Sequence, residues 1–192
     1  MCQLPPGYWQ EGSLGGCVWA GADSLGTTVT PNNFTSVALG GPYCLSGTVA
    51  GLASYESVAI LGFNVNQPAA GADCSKSYAL TTGLASTTLS GSGIALNFTL
   101  NTTTVFRIQI QGPNGATDPT NRWCATVTGT SGPVFIPFSS FNTECWEGGS
   151  GTGYAGAPIS AVLFMVPGTT SATPFNFCIN GWAPGTSVAD AP

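Results

Sequence analysis

The sequence predicts an all-β chain: a two-sheet antiparallel β-sandwich of the jelly-roll kind, held by disulfides. Three observations point there. Apolar and polar residues alternate with a period of two in several runs, most clearly Val105 to Gln111, VFRIQIQ. Short runs of this kind recur at close spacing between Gly, Pro, Ser and Asn turns. Long stretches of Glu, Lys, Leu and Ala that would favour helices are absent.

The elements follow in chain order. Residues 1–16 are rich in Pro and Gly, carry Tyr8 and Trp9, and read as an arm or a first edge strand. From Cys17 to Thr48 the strands are short, with turns at Pro31, Gly40-Gly41-Pro42 and Gly47. Ser57–Val65 is a strong strand and Tyr78–Thr82 a weaker one. Gly91-Ser92-Gly93 is a turn, after which Ile94, Leu96, Phe98 and Leu100 alternate with Ala95, Asn97 and Thr99. Asn101–Thr103 reads as a tight connection into VFRIQIQ, so that these two strands form a hairpin. Gly112–Asn121 is a loop, Trp123–Thr128 a strand and Gly129–Pro133 a turn. Val134–Phe138, Ala161–Val166 and Phe175–Trp182 complete the set, with a Gly-rich loop over Cys145–Pro158. Residues 1–182 therefore form one domain, and 183–192 read as a tail or linker.

The core faces are predicted at Ile94/Leu96/Phe98/Leu100, Phe106/Ile108/Ile110 and Phe175/Phe177/Ile179. The opposite positions, Asn97, Thr99, Arg107, Gln109, Gln111, Asn176 and Asn180, form one polar sheet face if their strands are neighbours. The chain has only 3 cations, Lys76, Arg107 and Arg122, and one of them stands on a strand face with Gln109 and Gln111. A row of forked donors and acceptors suits the hydroxyls of a polar, neutral ligand such as a sugar.

Composition narrows the rest. The 192 residues can bury a sizeable core. Charged residues make up 6% and the net charge is −5. That balance excludes a nucleic-acid surface, which needs clustered Lys and Arg, and it suits an anionic membrane surface equally poorly. No apolar run is long enough to span a bilayer. His is absent, which removes Ser-His-Asp and Cys-His nucleophile chemistry, imidazole-bound zinc and a copper histidine brace. No basic and apolar leader follows Met1, so the chain reads as a mature or excised fragment with an added start Met.

The 7 cysteines, with no CxxC pair, read as disulfides made in an oxidising compartment, hence a secreted, extracellular protein. Cys2 is the odd one out. The expected pairing is Cys17–Cys44, Cys124–Cys145 and Cys74–Cys178, although six cysteines allow about 15 arrangements.

The second half of the chain runs GIALNFTL, VFRIQIQGPNG, NRWCATV, GPVFIPFSSF, a loop, APISAVLFMVPG and TPFNFCINGW. This order resembles the galactose-binding-like jelly rolls, especially family 11-type carbohydrate-binding modules and domains of the complex I intermediate-associated protein 30 type. The likeness covers roughly half the chain and rests on the Arg-bearing strand, a V-x-I-P-F-x-x-F strand and a closing F-x-F-x-I strand. It implies a β-sandwich that binds β-glucan or a related polysaccharide on a sheet face, attached to a glycoside hydrolase or another secreted catalytic domain. It also implies that Arg107 and Gln109 lie on the ligand-facing strand. The chain departs from the pattern at Asn180, where such families often carry an acidic pair that helps hold calcium.

The expected function is a non-catalytic carbohydrate-binding module, acting as a monomer on cellulose, mixed-linkage glucan or xylan. Arg107, Gln109, Gln111 and Asn97 are the expected hydrogen-bonding residues. Trp123, Trp146 and Tyr154 are the expected stacking platforms, Trp146 and Tyr154 because their Gly-rich loop offers little to pack against. Trp19 and Trp182 are expected in the core. No cofactor is expected, apart from a structural calcium that Asp23, Asp73, Asp118 or Asp190 could help ligate with backbone carbonyls. Two alternatives stand beside this reading. One is a small polysaccharide-degrading enzyme using Glu144, Glu147, Glu56 or Asp73. The other is a structural or adhesive spacer with no glycan site.

Overall fold

The computed structural model describes residues 4–54, 56–75, 85–102, 104–147 and 150–192. Among them the chain is all-β, with short 3-10 turns and no α-helix. None of its helical turns is long and apolar enough to cross a membrane. The expected strand at Tyr78–Thr82, and Cys2 and Lys76, lie outside the described residues.

Eleven strands are described: β1 (Tyr8–Glu11), β2 (Leu14–Ala22), β3 (Thr28–Thr30), β4 (Tyr43–Val49), β5 (Val58–Asn64), β6 (Gly93–Leu100), β7 (Arg107–Gln111), β8 (Arg122–Thr126), β9 (Val134–Pro137), β10 (Ala161–Pro167) and β11 (Thr173–Gly185). They form a six-stranded sheet, β1-β2-β5-β10-β7-β8, and a five-stranded sheet, β3-β4-β11-β6-β9. Every pairing within them is antiparallel. The arm around Tyr8 and Trp9 is indeed an edge strand.

The inner faces of the two sheets share one core, and all the predicted core residues are buried in it. Phe106 stacks on Phe98 at 5.6 Å and meets Phe177 at 4.8 Å, while Phe63 and Phe164 meet edge to face at 5.6 Å. Trp9 and Trp182 close one end of the sandwich, with ring centroids 4.7 Å apart. The aromatic rings of the core pack in stacked, tilted and edge-on geometries.

The hairpin expected from β6 and β7 does not form. β6 pairs with β11 and β9, whereas β7 pairs with β10 and β8. The chain instead passes from one sheet to the other between the end of β6 and the start of β7. Facing sheets lie about 10 Å apart, which a few extended residues span. The crossing lets the apolar faces of both strands point into the same core. The backbone N–H of Asn101 donates to Asn176 O (2.9 Å), so the crossing starts while still tied to β11.

The disulfides are Cys17–Cys74, Cys44–Cys178 and Cys124–Cys145. Of the expected pairs only Cys124–Cys145 is present. Cys17–Cys44 fails because β2 and β4 belong to different sheets and both cysteines point away from the shared core, Cys17 beside Tyr8 and Cys74 and Cys44 beside Cys178. Cys44 and Cys178 instead stand directly opposite on neighbouring strands, within bridging reach.

The expected tail is part of the domain. β11 continues to Gly185, and the turn Val188–Asp190 is closed by a reciprocal Ser187/Asp190 capping box. The Asn97 side-chain amide donates to Pro192 O (3.2 Å), fixing this segment against β6.

Candidate functional site

Because Ile108 and Ile110 of β7 are buried in the core, Arg107, Gln109 and Gln111 point to the outer face of the six-stranded sheet. Strand register fixes their neighbours. One row across the sheet runs Trp19, Gly62, Leu163, Gln109, Cys124. The next runs Gly21, Ile60, Met165, Arg107, Thr126. The outer face is thus half apolar: Trp19, Ile60, Ala161 and Leu163 form a buried cluster separate from the main core, with Val58 and Met165 packed on it. Glycine makes this possible. A Cβ at Gly62 would lie 2.2 Å from the Trp19 ring, so only Gly lets the indole lie flat on the sheet. The Trp19 N–H donates to Asn64 Oδ1 (3.0 Å). Trp19 is buried as expected, but on the outer side of its sheet.

Cys124 brings the other half of the site. Its backbone exchanges hydrogen bonds with Asn142 (2.8 and 3.1 Å), and its sulfur reaches Cys145. The 3-10 turn Cys145–Glu147 is thereby anchored beside the outer face. Trp146 in that turn is 56% exposed. It lines a cavity of about 720 Å³ with Val105, Arg107, Glu147, Ser54 and the Pro167-Gly168-Thr169 turn after β10. That volume falls in the range of ligand sites, about 300–1,000 Å³.

Arg107 is half-buried in this cavity. Its Nε is buried with no hydrogen-bond partner among the described residues, and burial lowers the guanidinium pKa from its ordinary value. The group stays charged, since arginine titrates far above neutrality. Gln109, also half-buried, donates from its amide to Gln111 Oε1 (3.4 Å). Glu147 is exposed, and it is the one carboxylate among the described lining residues. Glu144 instead accepts from Ser150 Oγ (2.9 Å).

Arg107 and Trp146, expected as binding residues, therefore meet in one cavity, with Gln109 next on the same strand face. The other expected site residues lie elsewhere. Gln111 is 1% exposed, because the 112–121 loop folds over it with Gly115 against its side chain. Asn97 sits on the outer face of the five-stranded sheet, on the far side of the sandwich, where it accepts from Asn180 (3.4 Å). The single polar face expected from Asn97 to Asn180 is therefore two faces.

Trp123 and Tyr154 are core residues, 7% and 8% exposed, packed edge to face at 5.2 Å. The Gly-rich loop folds back so that the Tyr154 N–H donates to Phe141 O (2.9 Å) and its hydroxyl donates to Ala157 O (2.7 Å). That return path supplies the apolar neighbours the sequence did not show. Residues not foreseen in the site are Val105, Ser54 and the 167–169 turn. Val105 carried a signal: it is an apolar residue on the polar side of the VFRIQIQ alternation.

The aspartates expected as calcium ligands sit in four separate turns. Asp73 accepts from Ser75, Asp118 from Thr120, and Asp190 from Thr186 and Ser187. Burial alone would raise the Asp23 pKa. Hydrogen bonds from the Thr27 hydroxyl and from the backbone N–H groups of Val58, Leu25 and Thr27 together outweigh it and hold the carboxyl below its ordinary value. No group of three or more His, Cys, Asp or Glu converges among the described residues. No protein-family model matches the chain, and no curated protein matches it.

Proposed function

We propose that this chain is a secreted, non-catalytic carbohydrate-binding module that holds a plant-type polysaccharide against the outer face of its six-stranded sheet. It would act as a monomer and bring an attached glycoside hydrolase, or another secreted catalytic domain, to its substrate. The observation that carries the reading is the juxtaposition of Trp146 and Arg107 in one open cavity. An exposed indole offers a flat apolar surface for a pyranose face, and the guanidinium offers forked donors for ring substituents. The buried apolar strip from Trp19 to Met165 gives this wall a rigid base on strands. Three disulfides are compatible with an extracellular protein. A single carboxylate among the described lining residues favours binding over hydrolysis, which ordinarily uses two.

The test is affinity gel electrophoresis on soluble β-glucan and xylan, with pull-down on insoluble cellulose. Wild type, Arg107→Ala and Trp146→Ala run side by side. Retardation of the wild type that both variants lose supports the reading. Wild-type migration unchanged by every glycan overturns it in favour of a spacer domain.

A further inference from the structure

The environment of Arg107 narrows the ligand. The chain holds 8 carboxylates against 3 cations, yet none of the described carboxylates forms an ion pair with Arg107. Several are committed to their own turns: Asp23 to Thr27 and Val58, Asp118 to Thr120, Asp190 to Thr186 and Ser187, Glu144 to Ser150. Burial is the single cause acting on the Arg107 pKa, and no neighbouring charge offsets it. A half-buried guanidinium with an orphaned Nε is an unfavourable arrangement for the free protein, because a desolvated charge needs a partner. For a neutral sugar such a group is more charge than hydroxyl recognition requires.

Resting on the carbohydrate-binding reading above, we propose that the Arg107–Trp146 cavity takes a hexuronate residue, its pyranose face on Trp146 and its carboxylate on Arg107. A carboxylate matches the guanidinium fork in shape as well as charge, which a hydroxyl does not. The ring substituents away from the carboxylate meet Glu147 and the 167–169 turn. Glu147 is an acceptor for hydroxyls and carries the same sign as the ligand, so it holds the affinity down and disfavours a second acidic group on that side.

The experiment is isothermal titration of the wild-type chain with oligogalacturonate, with its methyl ester of equal length, and with a neutral gluco-oligosaccharide. The ester keeps ring and shape and removes only the charge. The expected result is about tenfold or tighter binding of the acid over the ester, the range of a charge-assisted contact. Arg107→Gln should abolish that preference by weakening the acid more than the ester. Glu147→Gln should shift the preference further toward the acid, and Trp146→Ala should weaken acid and ester together. Equal wild-type affinity for acid and ester, with glycan binding intact, overturns the hexuronate assignment and leaves the binding module standing. No binding to any of the three, nor to the polysaccharides above, overturns both.

Discussion

The two outer faces of the sandwich solve the same problem in different ways. On the five-stranded sheet the outward positions include Thr28, Thr30, Ser46, Thr48, Asn97, Thr99, Asn176 and Asn180, short and uncharged. Each is partly or fully exposed, and their hydrogen bonds run mostly to one another or to local backbone. On the six-stranded sheet the outward positions include a buried indole, three aliphatic side chains and a half-buried arginine, beside Gln109 and Gln111. The first face is what a solvated strand requires. The second buries apolar area away from the main core and leaves a charge with no ion-pair partner among the described residues. The contrast teaches that an alternating polar strand says little by itself; what lies beside it in the sheet decides whether it is solvated or built for a ligand.

The sharpest way to break this comparison is Trp19→Ala. Removing a fully packed indole from the outer face should cost about 3–5 kcal/mol, read as a lower urea midpoint. A loss under about 1 kcal/mol would mean that the outer cluster carries no packing energy and that the two faces are alike after all.

Next in size is the split between binding and stability at Arg107. Arg107→Ala should weaken glycan binding by about tenfold or more, with Tm unchanged or raised, because the variant removes a desolvated charge. Asn97→Ala, on the other face, should leave binding untouched. Equal effects from both would dissolve the distinction.

A smaller effect is expected from pH. Asp23 ties the end of β2 to β5, with Val58 N–H donating to its carboxylate (2.7 Å). Its folded pKa lies below the unfolded value of about 3.9, so its contribution is full above that value and fades as pH falls through it and beyond. Asp23→Asn should flatten this acid limb. At the other end, burial pushes the Tyr43 pKa up to about 12. Stability should therefore fall as pH rises from about 10 toward that value, because the unfolded phenol ionises first. With His absent, the curve between these limbs should be nearly flat by thermal melts.

The smallest effect belongs to the solvated face. Asn176→Ala and Thr30→Ala should each shift stability by no more than about 0.5 kcal/mol.

Much of this was legible in the chain. The class, the inner faces of β6, β7 and β11, and the Cys124–Cys145 link follow from periodicity and from cysteine position. Trp146 could be picked out because a turn of Gly-flanked residues gives an indole nothing to pack on. Pairing between strands was not legible. Adjacency in sequence suggested that β6 and β7 pair, and nothing in residues 101–104 signals a crossing between sheets. The same gap misplaced Asn97 and two of the disulfides, since each depends on which strands are neighbours. Trp123 and Tyr154 were misread for a related reason: the loop that covers them is remote from β8 in sequence and returns only in three dimensions.

The Cys44–Cys178 link joins neighbouring strands whose cysteines are 134 residues apart. Everything between them, Arg107 and Trp146 included, lies inside one covalent ring. A pull on the flanking chain passes from one sulfur to the other across the five-stranded sheet and bypasses the ring. Tension applied between the two ends of the chain is borne at that staple, and the strands between the two cysteines are not unravelled by it.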